Sequence, residues 1–399
     1  MFVFLHRNKK EMREYVALFD IGSASVAGAL VVLDGDTQPH ITYTTRVPLT
    51  LTEVLDAKTL EKKTAETVRV VSERLIKALA DEQVNQFSRI VCMSASPWVH
   101  IETASIEAKH DEPKDITDAY IKTLLESARA EIVEKAAETA AGVDQTEEFS
   151  MQVLLNGYPT ANPEKKKAKH IALSLAVGYM DTAFHSSLER VFDEQFGETA
   201  VSYNSFILPF FLTARDVFEQ SDFLLMDVTG EVSDIGVVRG DILSNYVTFP
   251  YGKHSIARDL AELLGTTPEE SLSRLSLGVS GTQKEDSTVQ KSIETVAQKW
   301  IKQFGSSVGK LSETKRLPNF LLLACDGSIG LWLAELTSRI DFGAFTLTGE
   351  AFSPELLTAN RICEFCTFKG KSVKEDPFLA VGALFAKRIR AVEKNKPVV

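Results

Sequence analysis

The sequence predicts a two-lobed α/β protein with a small α+β subdomain inserted in its first lobe. One pattern occurs twice: an apolar strand ends in Asp, a tight polar turn with Gly follows, and a second apolar strand leaves the turn. The two copies lie at 16–26 and 223–238. Between them, residues 106–199 change to a helix–strand–strand–helix order, which is typical of an α+β module.

Each copy of the pattern continues through a Gly–Asp turn into a third strand. In the first copy Asp34-Gly35-Asp36 precede the predicted strand 41–47, and in the second Arg239-Gly240-Asp241 precede 242–249. A carboxylate at the end of a buried strand can hold a hydrated cation while the N–H groups of a Gly turn face phosphate. Two such turns predict two similar halves around one anionic ligand.

The other elements of the first lobe alternate between helix and strand. Residues 56–81 predict an amphipathic helix, and 89–93 predict a buried strand. After the insertion, 207–218 predict a helix or strand–helix that returns to this lobe. We expect 15–105, together with 200–222, to form the first lobe.

The inserted subdomain is expected at 106–199. Its predicted elements are a long helix, two strands and a second helix, at 115–141, 150–155, 171–177 and 182–196, with Gly142 ending the first helix. A lysine run precedes the second strand, at Lys165, Lys166, Lys167 and Lys169. We interpret this run as a solvated hairpin face, and a contact surface for an acidic partner is the alternative.

The second lobe is expected at 223–377. After its strands, helices are predicted at 255–264, from 267 onward and at 289–311. A buried strand then leads into a turn at Gly327-Ser328 and another helix. An apolar helix at 378–391 opens the last segment, 378–399.

Composition excludes several classes of function. A net charge of -11 argues against general nucleic-acid binding, which needs a basic face. Four cysteines do not make a disulfide scaffold in a chain of 399 residues, so a reducing cytoplasm is expected. No apolar run reaches the roughly 18 residues of a membrane span. The stub 1–14, with Phe2, Phe4, Lys9 and Lys10, is no signal peptide; it is a frayed terminus or touches an anionic membrane.

Three features in this order carry a family resemblance: the two Asp-tipped hairpins and the late strand–Gly327-Ser328–helix turn. The chain resembles the actin-like superfamily of actin, Hsp70 and sugar kinases. Within it, the chain is similar to the branch of FtsA-type cell-division proteins and PilM-type proteins of type IV pilus assembly. The insertion is similar to the SHS2 subdomain of that branch. The resemblance covers nearly the whole chain, and it implies that the last helix packs back on the first lobe.

The resemblance implies an ATP site with magnesium in a cleft between the lobes. The two acids would hold the metal through water, both turns would face the phosphates, and one helix of the second lobe would contact adenine and ribose. The residues implied to bind nucleotide are Asp20, Gly22, Ser23, Asp227, Thr229, Gly230, Ser233, Glu270, Arg274, Gly327 and Ser328. The metal ligands would be Asp20 and Asp227. No residue is assigned a catalytic role, so weak ATPase activity is the most that we expect.

The second turn departs from the family pattern. Thr229 and Glu231 flank the single Gly230, where the family has consecutive glycines that let backbone approach phosphate. At ~4 Å and an effective dielectric near 20, Glu231 and a phosphate would repel by roughly 4 kcal/mol. Glu231 must therefore point away or bind a metal. In the third motif, Cys325 and Asp326 stand where glycines are expected.

Two classes of function follow from the resemblance. The first is a cytoplasmic scaffold at the inner face of the membrane, which docks a short peptide of a membrane-anchored partner. A PilM-like role with a PilN-like partner is favoured by the apolar–basic start and Glu231, whereas Asn156-Gly157-Tyr158 are nearer to FtsA-type proteins, which bind the FtsZ C-terminal tail. Such a scaffold could self-associate, and it could be a degenerate pseudo-ATPase. The second class is a phosphotransferase, for which the sequence offers no convincing general base.

Other chemistries have little support in the sequence. Cys363 and Cys366 have the spacing of half a zinc site or a redox pair, but no second pair follows them. We expect two ordinary thiols. The seven histidines are scattered, and none stands beside a nucleophile in a local signature.

Overall fold

The structure, a computed structural model, describes residues 13–52, 54–137, 142–218, 220–279, 287–325, 327–339, 342–362, 364–370 and 373–395. Several predictions fall outside these ranges. They concern the stub up to residue 12, the end of the long helix at 138–141, Asp326, Cys363 and the last residues from 396.

The first lobe is built on a six-stranded sheet. Its elements before the insertion are β1 (Glu14–Ile21), β2 (Ser25–Leu33), β3 (His40–Pro48), α1 (Ala57–Asp81) and β4 (Arg89–Ser94). β1 and β2 form the predicted antiparallel hairpin, β3 continues it, and β4 runs parallel to β1. Val16 and Leu18 face one side of the sheet and Ala17 and Phe19 the other, because side chains alternate along a strand.

The inserted subdomain has its own four-stranded sheet, in the order β5-β8-β6-β7. Its elements are β5 (Val99–Asp115), α2 (Asp118–Ala137), β6 (Val143–Leu155), β7 (Tyr158–Pro159), β8 (Lys167–Asp181) and α3 (Thr182–Phe196). α2 packs on this sheet through Ala128 and Ile132. The lysine run around Lys166 is exposed beside the β7–β8 connection.

β5 corrects two expectations about the insertion. The expected boundary at 106 falls inside this strand, which begins at Val99, and the helix expected from 115 begins at Asp118. The second half of β5 is exposed and rich in charged residues, so it carries none of the apolar alternation from which strands are predicted. β6 likewise begins at Val143, before the expected 150, and its first half is mostly polar.

The second lobe repeats the plan of the first with a five-stranded sheet, in the order β12-β11-β10-β13-β14. The chain reaches it through β9 (Val201–Ser205) and α4 (Ile207–Val217). The lobe's elements are β10 (Phe223–Val228), β11 (Ser233–Arg239), β12 (Ile242–Phe249), α5 (Lys253–Leu264), α6 (Pro268–Val279), α7 (Ser287–Ser312), β13 (Phe320–Ala324), α8 (Gly327–Arg339) and β14 (Ser353–Leu356). The core of this lobe surrounds Trp300, Phe304 and Leu323. The predicted two-lobed α/β fold with an inserted α+β subdomain is confirmed.

The last elements return to the first lobe. They are α9 (Ala359–Ile362), β15 (Thr367–Phe368) and α10 (Pro377–Asn395). β15 pairs with β3, so part of the segment expected in the second lobe belongs to the first sheet. Leu379 and Ala383 of α10 pack in the same core as Leu18, and a Cβ at Gly382 would lie 2.7 Å from Leu18. Across the described ranges, no helix combines the length and apolar character needed to cross a membrane.

Candidate functional site

The two Asp-tipped turns meet at one crevice between the lobes. Asp20 lies near the end of β1 and Asp227 near the end of β10, and both side chains are buried. Gly22, Thr229 and Lys253 also line the crevice. The structure therefore brings together the acids of both hairpins and residues of both turns.

The turns touch each other directly. Ser23 Oγ lies 3.1 Å from Thr229 Oγ1 and accepts a hydrogen bond of 2.9 Å from the backbone N–H of Glu231. Thr229 Oγ1 is also 3.2 Å from the carbonyl oxygen of Ser96, which follows β4 in the first lobe. A Cβ at Gly230 would lie 2.7 Å from the carbonyl oxygen of Ser23. We call this contact of Ser23, Ser96, Thr229, Gly230 and Glu231 the interlobe clasp.

Arg46 supplies the cation that faces Asp20. Its Nη2 is 2.9 Å from Asp20 Oδ2, its Nε is 2.9 Å from Asp376 Oδ2, and its Nη1 donates to Ser25 Oγ at 2.8 Å. Nη2 also lies 3.1 Å from Asp376 Oδ1, so four of the five guanidinium N–H groups have an acceptor. Burial would lower the pKa of Arg46, but Asp376 and Asp20 outweigh it and raise that pKa, which keeps the charge.

Glu231 does not point at a phosphate position. Its carboxylate binds Arg258 through two hydrogen bonds, one of them 3.1 Å long, and lies 3.3 Å from His254 Nδ1. Burial alone would raise the pKa of Glu231. The hydrogen bonds from His254 and Arg258 outweigh burial and hold this pKa below its ordinary value. Glu231 is thus neutralised by α5, and no metal is needed.

The start of α5 is bonded to the second turn. The N–H of Lys253 donates to the Thr229 carbonyl at 2.9 Å, and the N–H of His254 donates to the Gly230 carbonyl at 2.7 Å. A helix N-terminus is a ready site for an anion because its first N–H groups have no helical partner. Here these two groups already have acceptors within the protein.

The remaining predicted residues lie away from the crevice. Ser233 is buried and donates to the Tyr251 carbonyl at 2.8 Å. Glu270 and Arg274 pair with each other at 2.6 Å on α6. Gly327 and Ser328 line a separate cavity of about 830 Å³ with Leu331, Leu356 and Asn360 among others. Arg46 and Phe378 line both spaces, so the cavity adjoins the crevice.

The sequence matches no family model, and no curated protein matches it. Among solved structures, a chain of the "PilM-PilN type IV pilus biogenesis complex" is similar with a TM-score of 0.59 and 14% identity, covering 97% of this chain and 99% of that one. The chain has the actin-like fold. The predicted resemblance is confirmed at the level of fold.

Two other solved structures are more distant. The ethanolamine utilization protein EutJ from Carboxydothermus hydrogenoformans has a TM-score of 0.43 and 12% identity, covering 94% of this chain and 90% of its own. A Bacteroides thetaiotaomicron protein with an actin-like ATPase fold and unknown function has a TM-score of 0.40 and 10% identity. The similarity covers 92% of this chain and 95% of that one.

The crevice of this actin-like chain does not fit a magnesium-bound triphosphate. Its volume is about 40 Å³, and one water needs about 10–15 Å³, so the crevice itself holds a few waters and not a triphosphate. Asp20 already faces a guanidinium, and the turns that would cradle phosphate hold each other. Within the described ranges, no cluster of three or more His, Cys, Asp or Glu could hold a metal.

Arg46 and Asp376 were not predicted from the sequence to belong to the site. Arg46 lies in the predicted strand 41–47, and Asp376 lies two residues before the last predicted helix, 378–391. The sole signal was a charged residue within an otherwise apolar and hydroxyl-bearing strand. Its partner is 330 positions away in the chain, so no local pattern connects the two.

Asp234 predicts a pH dependence of stability. This carboxyl is 2% exposed and accepts a hydrogen bond of 2.6 Å from Thr248. Burial raises its pKa from 3.8 to about 6 against the opposing hydrogen bonds. Because the folded state holds the proton more tightly, its contribution to the free energy of unfolding is full below pH ~4 and is lost as pH rises through about 6. The free energy of unfolding of the wild type should therefore fall by an amount on the order of 2 kcal/mol as pH rises, and Asp234→Asn should remove this fall.

Urea unfolding between pH 4.5 and 7.5 measures this effect. Asp36→Asn, in an exposed turn, is the matched control and should keep the wild-type pH profile. A second buried carboxyl, Glu147, has its pKa raised to about 7 by burial, so some decline with pH remains in Asp234→Asn. Identical profiles for wild type and Asp234→Asn would show that Asp234 does not titrate in this range.

Proposed function

We propose that this chain is an actin-like scaffold of the PilM type, which docks a short peptide of a membrane-anchored, PilN-like partner in type IV pilus assembly. The observation that carries the proposal is the similarity, over 97% of this chain, to a chain of a PilM–PilN complex. A scaffold acts through the surfaces that it presents, and it needs no reacting group.

A groove between the inserted subdomain and the second lobe suits such a peptide. It is lined by 100–103 of β5 and 244–248 of β12, and its volume is about 570 Å³. Each of these strands lies at the edge of its sheet. The two strands also contact each other, and Thr103 Oγ1 donates to the Ser244 carbonyl at 3.1 Å.

Edge strands recognise extended peptides through their backbone. An edge offers unpaired N–H and C=O groups to an added strand, while neighbouring pockets select its side chains. At ~3.3 Å per residue, lining stretches of this length fit a peptide of about four or five residues. Val247 also lines the groove, so we expect the bound segment to include an apolar residue.

The closed crevice supports a scaffold over a phosphotransferase. Phosphoryl transfer needs a bound triphosphate, a metal and a pocket for the acceptor hydroxyl. A space of about 40 Å³ beside an ion-paired Asp20 supplies none of these. The nucleotide binding implied by the family resemblance is therefore no part of the function that we propose.

Peptide titration by fluorescence polarisation tests the docking groove. Asn245 is exposed on the groove side of β12, so Asn245→Trp should block the groove and weaken binding of a short cytoplasmic PilN-type peptide by ~10-fold or more, about 1.4 kcal/mol. Glu107→Trp, exposed on β5 outside the groove, is the matched control and should bind like wild type.

The peptide set separates the alternatives. Binding of the FtsZ C-terminal tail, and not of a PilN-type peptide, would assign a role in cell division. If folded protein binds neither peptide, the docking proposal is wrong. Equal affinities of Asn245→Trp and wild type would place the peptide elsewhere on the surface.

A further inference from the structure

We propose that the guanidinium of Arg46 is a built-in replacement for a divalent cation at Asp20, and that its removal creates a divalent-cation site. The chain would then keep its lobes together with its own side chains. This inference does not depend on which peptide the scaffold binds.

The sheet register places Arg46 for this role. Asp20 pairs with Ala27 across β1 and β2, and Ala27 pairs with Arg46 across β2 and β3. Directly paired residues project on the same face of a sheet, so Arg46 and Asp20 flank the small side chain of Ala27. The arginine reaches over this alanine to the carboxylate at 2.9 Å.

The acceptors of Arg46 form a set that also suits a hard cation. One nitrogen, Nη2, is within 3.1 Å of carboxylate oxygens from both Asp20 and Asp376, and Ser25 Oγ is 2.8 Å from Nη1. Carboxylate and hydroxyl oxygens are ligands that Mg²⁺ and Mn²⁺ accept. Asp227 lines the same crevice. Without the guanidinium, these negative charges would lie close together in a partly buried space.

Arg46 is held firmly in place. Its guanidinium lies 5.3 Å from the ring centre of Phe378, at the start of α10. Asp376 in turn accepts hydrogen bonds from the N–H groups of Phe378 and Leu379, which cap the same helix. A bidentate arginine–carboxylate pair fixes geometry as well as charge. A metal ion would therefore have to displace a side chain that already donates four hydrogen bonds.

The interlobe clasp makes a bridging nucleotide unnecessary. Ser23 and Ser96 of the first lobe contact Thr229 and Glu231 of the second at 2.9 to 3.2 Å. The groups that would bind phosphate are bonded across the crevice to one another. Arg46 thus removes the need for a metal, and the clasp removes the need for phosphate.

Mn²⁺ binding, followed by electron paramagnetic resonance, tests the proposal. Arg46→Met keeps the aliphatic stem over Ala27 and Phe378 and deletes the charged head. We expect Arg46→Met to bind Mn²⁺ at least ~10-fold more tightly than wild type, because the carboxylates of Asp20 and Asp376 lose the guanidinium that pairs with both. Arg46→Met/Asp20→Asn should lose this gain, and Arg46→Lys, which keeps the charge, should behave like wild type.

The wild-type protein gives a second, independent readout. Its melting temperature should not change with millimolar Mg²⁺ and ATP, whereas Mg²⁺ alone should raise that of Arg46→Met. A rise in wild type with Mg²⁺–ATP, abolished by Asp20→Asn, would overturn the proposal even if Arg46→Met fails to fold. Equal Mn²⁺ affinities of folded Arg46→Met and wild type would also overturn it.

Discussion

Replacing Gly252 with alanine is expected to lower the free energy of unfolding by about 3 kcal/mol. A Cβ at this position would lie 2.5 Å from the Gly230 carbonyl oxygen and 2.6 Å from that of Thr229. Both obstacles are backbone, and both carbonyls accept hydrogen bonds from the first turn of α5. The helix must therefore withdraw from the turn, which breaks these bonds and disturbs the interlobe clasp. Chemical denaturation measures the loss, and amide exchange at 229–231 locates it.

Gly305→Ala is the matched control for this substitution. Gly305 lies within α7, and its added methyl would meet only Phe342, at an ordinary contact distance of 3.5 Å. Alanine is the better helix former by roughly 0.5–1 kcal/mol, so Gly305→Ala should be neutral or stabilising. A Gly252→Ala protein as stable as wild type would mean that the turn and α5 are not in contact in solution.

Trp300→Ala is expected to lower the free energy of unfolding by about 3–5 kcal/mol. Trp300 is fully buried in the second lobe, where it stacks on Phe304 at 5.0 Å and meets Phe249 edge-on at 6.5 Å. Removing it deletes this apolar contact and leaves a cavity that surrounding aromatic rings cannot fill without leaving their rotamers. The loss is measured as the shift of the urea or guanidinium midpoint at unchanged slope.

Trp300→Phe separates packing from hydrogen bonding at this site. The buried indole Nε1 has no hydrogen-bond partner in the structure, so phenylalanine loses volume but no bond. We expect a loss well below that of Trp300→Ala. If both variants lose the same free energy, the aromatic stack does not organise this core.

The fold could be predicted because its two hairpins repeat one strong pattern. Apolar runs that end in Asp20 and Asp227 gave the positions of β1 and β10, and the Gly–Asp turns gave the third strands. The signal is strong because these strands are buried on both faces. The extent of β5 could not be predicted for the opposite reason, since its charged half lies in solvent.

The site could be predicted in part. The repeat implied that both turns would face one crevice, and the two acids do line one. Its closure could not be predicted, because Ser23 and Thr229 are 206 positions apart and their contact depends on how closely the lobes pack. For Glu231 the sequence predicted only that it points away from phosphate or binds a metal, because its partners on α5 come from tertiary packing.

Asp376 connects two mechanical parts of the molecule. The same carboxylate caps the N-terminus of α10 and binds the arginine that neutralises Asp20. If this helix moves away from the sheet and carries Asp376 with it, the carboxylate separates from the Arg46 guanidinium. A displacement of the C-terminal helix would then change the charge balance around Asp20 in the crevice.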